Sequence, residues 1–116
     1  MTVFDDREKA FEAKFHLDQE MEFKVRVRRD KLLGLWAADK MGISGDAART
    51  YALSVVDVEF NGSDHDCGHK VLRDFGANGI AIGEDEIRHR MAVLMEIARE
   101  QIYEEMSTGS HGARPT

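Results

Sequence analysis

A chain of 116 residues with 16 basic against 22 acidic side chains and a formal net charge of −6 is one domain by length, and its overall field repels nucleic acid. Its single cysteine, Cys67, excludes an internal disulfide, while Asp5 and Asp6 stand where a signal peptide would carry basic residues ahead of an apolar run. The longest apolar runs, such as Leu35 to Ala38, are far shorter than a membrane span, so the composition points to a cytosolic protein with no nucleic-acid partner and no direct membrane insertion.

From Thr2 to Leu33 there is neither glycine nor proline, and the only proline is Pro115. An uninterrupted first helix follows, to about Lys40. Thr2 is placed to cap it, and Asp5, Asp6 and Glu8 meet the positive end of the helix dipole. Acid-before-base pairs, Asp5 with Lys9, Glu20 with Lys24 and Glu22 with Arg26, each add a few tenths of a kcal/mol. Met21, Val25, Leu32 and Trp36 share one face, with Leu33 beside it, and MGISG at 41–45 ends the run. KVRVR at 24–28 alternates like a strand, but Val25 also fits the helical stripe and no partner strand is evident. Its two β-branched residues make it a soft joint within a helix.

The second helix is expected over roughly Gly45 to Phe60, with Ser44 as its cap and Ala47, Tyr51, Val55 and Val58 at helical spacing before the turn NGSD at 61–64. A short third helix follows Ser63 or Asp64, with Cys67, Val71 and Phe75 four apart, and stops in GANG at 76–79. The fourth begins near Gly83 with Glu84, Asp85 and Glu86 in its first turn; Ile87, Met91, Leu94, Ala98 and Ile102 make its stripe to about Met106. The tail, 107–116, is polar, glycine-rich and expected to be disordered. The fold class is all-α: a four-helix bundle with a long first helix.

That first helix is too long for its body. Residues 5–40 as helix extend ~54 Å, against a diameter of about 35 Å for a compact domain of this length. Phe4, Phe11 and Phe15 cluster on a face turned roughly 70° from the Met21 to Trp36 stripe, at 100° per residue, so they point away from the shared core. A charged helix of about twenty residues is marginal alone in water. The division expected is therefore an arm, 1–20, mobile or disordered when free, on a body, 21–106. The arm's aromatics become anchors when a partner supplies a groove.

FDDREKAFEAKF at 4–15 followed by RRDKLLGLWAADKMG at 28–42 strongly resembles the zeta inhibitory subunit of the alphaproteobacterial F-type ATP synthase. AARTYALSVVDVEF at 47–60, KVLRDF at 70–75 and IRHRMAVLMEIAREQI at 87–102 follow in the order and spacing of that family, so the resemblance covers about residues 2–106. It implies a four-helix body whose mobile N-terminal segment becomes helical on insertion between the catalytic and adjacent subunits of the ATPase head, a pawl against hydrolytic rotation. It assigns the inhibitory role to 2–19, in which Asp5, Arg7, Glu8 and Lys14 are expected as polar contacts, Phe4, Phe11 and Phe15 are inferred as apolar anchors, and Thr2 is counted among the partner-binding residues. The protein it implies is a monomer when free, cytoplasmic, and peripheral to the inner membrane through the ATP synthase. The chain departs from the family pattern at Val25 and Val27, where smaller residues are expected, at Asp30, where asparagine is expected, and in DHDCGH at 64–69.

Chemistry-bearing residues are few. His65 and His69 share a helical face at i, i+4, but Cys67 sits about 200° from each. The expected reading is a core cysteine beside solvated histidines, with no metal site. His16, His89 and His111 have no catalytic partners, and glycines 76, 79 and 83 lack the strand that a dinucleotide fingerprint needs. Lys24, Arg26, Arg28, Arg29 and Lys31 spread around the helix axis and read as solvated surface; Trp36 reads as a core anchor. No catalytic constellation and no cofactor site emerge, so the expectation is a non-enzymatic regulator. The alternative is a helical bundle that binds nucleotide weakly and acts as a sensor.

Overall fold

The structure, a computed structural model, describes the backbone of residues 2–61 and 66–109 and the side chains of residues 19–61 and 66–107. Helices α1 (Thr2–Lys40), α2 (Gly45–Asn61), α3 (Cys67–Ala77) and α4 (Glu84–Gly109) follow in chain order, with no strand among the described residues. The backbone is helical through residues 24–28, so the β-branched pair in KVRVR does not interrupt α1.

Two helix ends are written by glycine. Gly42, at φ 77, follows α1; the Ile43 amide donates to the Ala38 carbonyl at 2.8 Å and Gly42 to that of Asp39 at 3.1 Å. The end of α3 repeats this closure: Gly79 has φ 70, Ile80 donates to Phe75 at 2.9 Å and Gly79 to Gly76 at 3.3 Å. In both, a left-handed residue lets the chain turn back and satisfy carbonyls the helix leaves open. At its other end α3 is capped by Asp66, whose carboxylate accepts from the His69 amide at 3.2 Å. The cap is therefore two or three residues later than expected; Ser63 and Asp64, and His65 of the metal reading, lie outside the described residues.

The principal core joins all four helices: Leu33 and Ala37 of α1, Val55 of α2, Cys67, Val71 and Phe75 of α3, and Ile87 and Leu94 of α4. Phe75, Leu33 and Ile87 are fully buried, each contributing about 1.5–3 kcal/mol relative to exposure. Trp36 packs edge-on to Phe75 with ring centroids 5.5 Å apart, the anchoring role expected of it. A second, smaller cluster pairs Met21 and Val25 of α1 with Ala98 and Ile102 of α4.

The α2 stripe differs from expectation. Its buried residues are Ala48, Ala52, Val55 and Glu59, while Ala47 is exposed and Tyr51 and Val58 are half-buried. The helix is rotated so that small side chains face α1, where a Cβ on Gly34 would lie 2.5 Å from the Ala52 Cα. Tyr51 instead reaches α3, donating to Asp74 at 2.7 Å. The backbone of α4 continues to Gly109, three residues beyond Met106; residues 110–116 of the tail lie outside the described residues.

Candidate functional site

Among the residues whose side chains are described, burial on α1 begins at Met21; Gln19 and Glu20 are exposed. The helical backbone nevertheless continues back to Thr2, ~28 Å further at 1.5 Å per residue. The longest extent of the molecule is 64 Å, against 35 and 23 Å in the other directions. Thr2, Phe4, Asp5, Arg7, Glu8, Phe11, Lys14 and Phe15 all fall on this outer part of α1; their side chains, with those of His16 and His111, lie outside the described residues.

Where α1 enters the bundle, contacts from two helices hold it. Met21 and Val25 sink between Ala98 and Ile102 of α4. Arg28 donates to Gln101 at 2.7 Å and pairs with Glu105 at 2.7 Å, and Arg99 returns a pair to Glu22 at 3.2 Å. On the α2 side, Arg26 and Arg29 both grip Glu59 at 2.9 Å, and Phe23 meets Phe60 edge-on at 5.2 Å. The reading of the basic run as solvated surface therefore needs correction for three members. Arg26, Arg28 and Arg29 spread around α1 as expected, but that spread delivers them to carboxylates on α2 and α4, with Arg26 still half-exposed as it pairs, whereas Lys24 and Lys31 are exposed. Exposed pairs such as Arg99 with Glu22 contribute about 0–1 kcal/mol each; the apolar cluster they surround supplies most of the hold.

Beneath Arg29 the helices α1, α2 and α3 meet at Asp30, Glu59 and Cys67, whose candidate ligand atoms all lie within 4.8 Å of one another. This is a poor metal site. Arg29 donates to Asp30 at 2.8 Å and to Glu59 at 2.9 Å, placing a fixed cation on the oxygens a metal would use. Burial, with the neighbouring carboxyl of Asp30, pushes the Cys67 thiol up to about 12, so it stays protonated rather than becoming the thiolate that binds metals. Cys67 is buried with Val71 and Phe75, as its spacing predicts. His69 is exposed, facing Asp66 and Glu84 across the start of α3 and α4.

Three features escaped the sequence reading. Glu59 lies four residues after Val55 on the buried α2 stripe, and Asp30 lies three before Leu33 and four before Gly34 on α1; an acid inside an apolar stripe was the available signal. The third is an apolar strip of Leu53, Val56, Phe60 and Phe23, of which Leu53 is 63% and Phe23 57% exposed. Leu53, Val56 and Phe60 fall within roughly 60° on α2 at 100° per residue.

No described helix is long and apolar enough to cross a membrane. The family model for ATPase inhibitor subunit zeta matches residues 1–101. None of the curated proteins compared matches the chain.

Proposed function

The chain belongs to the ATPase inhibitor subunit zeta family, and on that basis we propose that it restrains ATP hydrolysis by an F-type ATP synthase as a non-enzymatic regulator. The arm, 1–20, enters an interface between a catalytic and an adjacent subunit of the head, and the body, 21–106, remains outside as a stop. Insertion obstructs hydrolytic rotation more than synthesis, in the manner of a pawl. The free protein is a monomer whose arm is mobile, and it reaches the membrane only through the synthase.

The supporting observation lies on α1: among the residues whose side chains are described, Gln19 and Glu20 are exposed and burial begins at Met21, while helical backbone extends back to Thr2. A charged helix lacking a packing surface is marginal by itself, and a groove in a partner supplies that surface. Phe4, Phe11 and Phe15 are the apolar anchors in this reading, and Thr2, Asp5, Arg7, Glu8 and Lys14 the polar contacts. The attachment of α1 to α2 and α4 around Met21 to Arg29 gives the arm a fixed base, so an inserted arm transmits the bulk of the body to the interface.

The test adds purified full-length protein and a variant lacking residues 2–19 to the cognate ATPase. Full-length protein is expected to inhibit hydrolysis, and the truncated protein to retain its bundle helicity by circular dichroism while losing inhibition. A truncated protein that still inhibits would remove the arm from the mechanism. The nucleotide-sensor reading has a cleft of about 450 Å³ to offer, lined by Arg26, Arg29 and Arg88 together with Glu59 and Asp66. Each of these guanidiniums already faces a carboxylate, which favours the inhibitor.

A further inference from the structure

Asp30 has no exposed surface although it is a carboxylic acid at the junction of three helices. Its Oδ1 accepts from Arg29 Nε at 2.8 Å and from the Cys67 thiol at 3.4 Å. Among the described residues its Oδ2 has no donor to accept from, and a Glu59 carboxylate oxygen lies within 4.8 Å of an Asp30 carboxylate oxygen. Glu59 accepts from Arg26 and Arg29, both at 2.9 Å. Two carboxylates at this separation do not both stay ionised out of water. Glu59 has two guanidiniums and keeps its charge; Asp30 then holds the proton, and its orphan oxygen becomes a donor to Glu59.

We propose that Asp30 and Glu59 share one proton and form a pH-responsive fastener that joins α1 to α2 and α3, tight while the proton is held and slackened once it is lost. The energetics agree with the geometry. Burial, reinforced by the Glu59 hydrogen bond, pushes Asp30 up to about 7 against the pull of Arg29. Glu59 moves the other way: burial raises it, but the Asp30 hydrogen bond and the Arg29 and Arg26 charges together bring it below its ordinary value. Among the described residues, the groups facing the pair include Arg26 and Arg29 from α1 and the protonated Cys67 from α3. Along the same cleft, Asp66 and Arg88 of α4 pair with each other at 3.0 Å, with His69 beside Asp66 at 3.3 Å.

The sign follows from the raised folded-state value. An unfolded aspartate titrates near 3.8 and the folded one at about 7, so the fastener is fully closed below the first. Glu59, lowered from 4.5, opposes the change below that value; above it the opening constant grows about tenfold per pH unit and levels off above about 7. Such a joint lies at the base of the arm and grades its anchorage with pH. The device stands on the free protein's own titration, independent of whether the chain inhibits an ATPase.

Carboxyl carbon NMR of the full-length free protein between pH 3 and 9 reads the pair directly, and hydrogen exchange of amides 28–33 and 55–60, corrected for intrinsic rates, reads the opening. Asp30 should titrate within about one pH unit of 7, Glu59 should show no transition there, and opening should climb roughly tenfold per pH unit before its plateau. Asp30→Asn should flatten that climb, while His69→Gln should leave it in place. An Asp30 carboxyl that titrates in the ordinary aspartate range overturns the proposal in the wild-type protein alone. So does opening indifferent to pH, a climb that survives Asp30→Asn, or one that disappears in His69→Gln.

Discussion

Gly34→Ala puts a single methyl group into the closest approach between α1 and α2. In an isolated helix the change stabilises by about 1 kcal/mol, because alanine surrenders less backbone entropy than glycine. Here the new Cβ would come 2.5 Å from the Ala52 Cα and 3.0 Å from its Cβ. Ordinary contact requires roughly an ångström more at the Cα, and a backbone atom cannot rotate aside as a flexible side chain does, so the helices must separate. Overpacking of this kind costs about 1–3 kcal/mol, which cancels the propensity gain and leaves a net loss of up to about 2 kcal/mol. Gly76 is the internal control: it is helical and exposed, with nothing within 4 Å of an added methyl, and Gly76→Ala should gain about 0.4–1 kcal/mol. Urea denaturation followed at 222 nm compares the two variants with the parent at constant m-value. The expected result is a gap of roughly 1–3 kcal/mol between them, Gly34→Ala being the less stable. Equal stabilisation by both substitutions would mean that α1 and α2 do not cross at Gly34 and Ala52.

Phe75→Ala removes a fully buried ring that touches Trp36 and should cost about 3–5 kcal/mol in the same assay, with loss of near-ultraviolet tryptophan dichroism. Asp66→Ala deletes the cap of α3 and the pair with Arg88, for about 1 kcal/mol at neutral pH. Because the Arg88 hydrogen bond holds Asp66 below its ordinary value of 3.8, that contribution is present above 3.8 and fades as acid protonates the folded carboxylate; the variant and parent should therefore converge at low pH. Cys67, buried and with its thiol raised to about 12, should react with a thiol reagent only through opening of the bundle. Its labelling rate at neutral pH should fall orders of magnitude below that of the urea-unfolded chain.

Much of this architecture is local and can be read from the chain. The run free of glycine and proline from Thr2 to Leu33 sets the length of α1, and Gly42 and Gly79 end helices because left-handed backbone there satisfies the last carbonyls. The four-residue spacing of Cys67, Val71 and Phe75 marks the inner face of α3, as Ile87, Leu94, Ala98 and Ile102 mark that of α4. What the chain alone left undecided depended on groups far apart in sequence. Ala48 and Ala52 displace Ala47 and Val58 from the α2 interface because Gly34 on another helix lets the backbones meet, a fact absent from the periodicity of α2 itself. Arg26, Arg28 and Arg29 look like solvent-facing charge until Glu59 and Glu105 arrive beside them. Asp30 is tolerable in the core only because Arg29, Cys67 and Glu59 converge on it from three helices. Helical periodicity is set by each residue's immediate neighbours, whereas compensation for a buried charge requires partners that tertiary packing alone brings within reach.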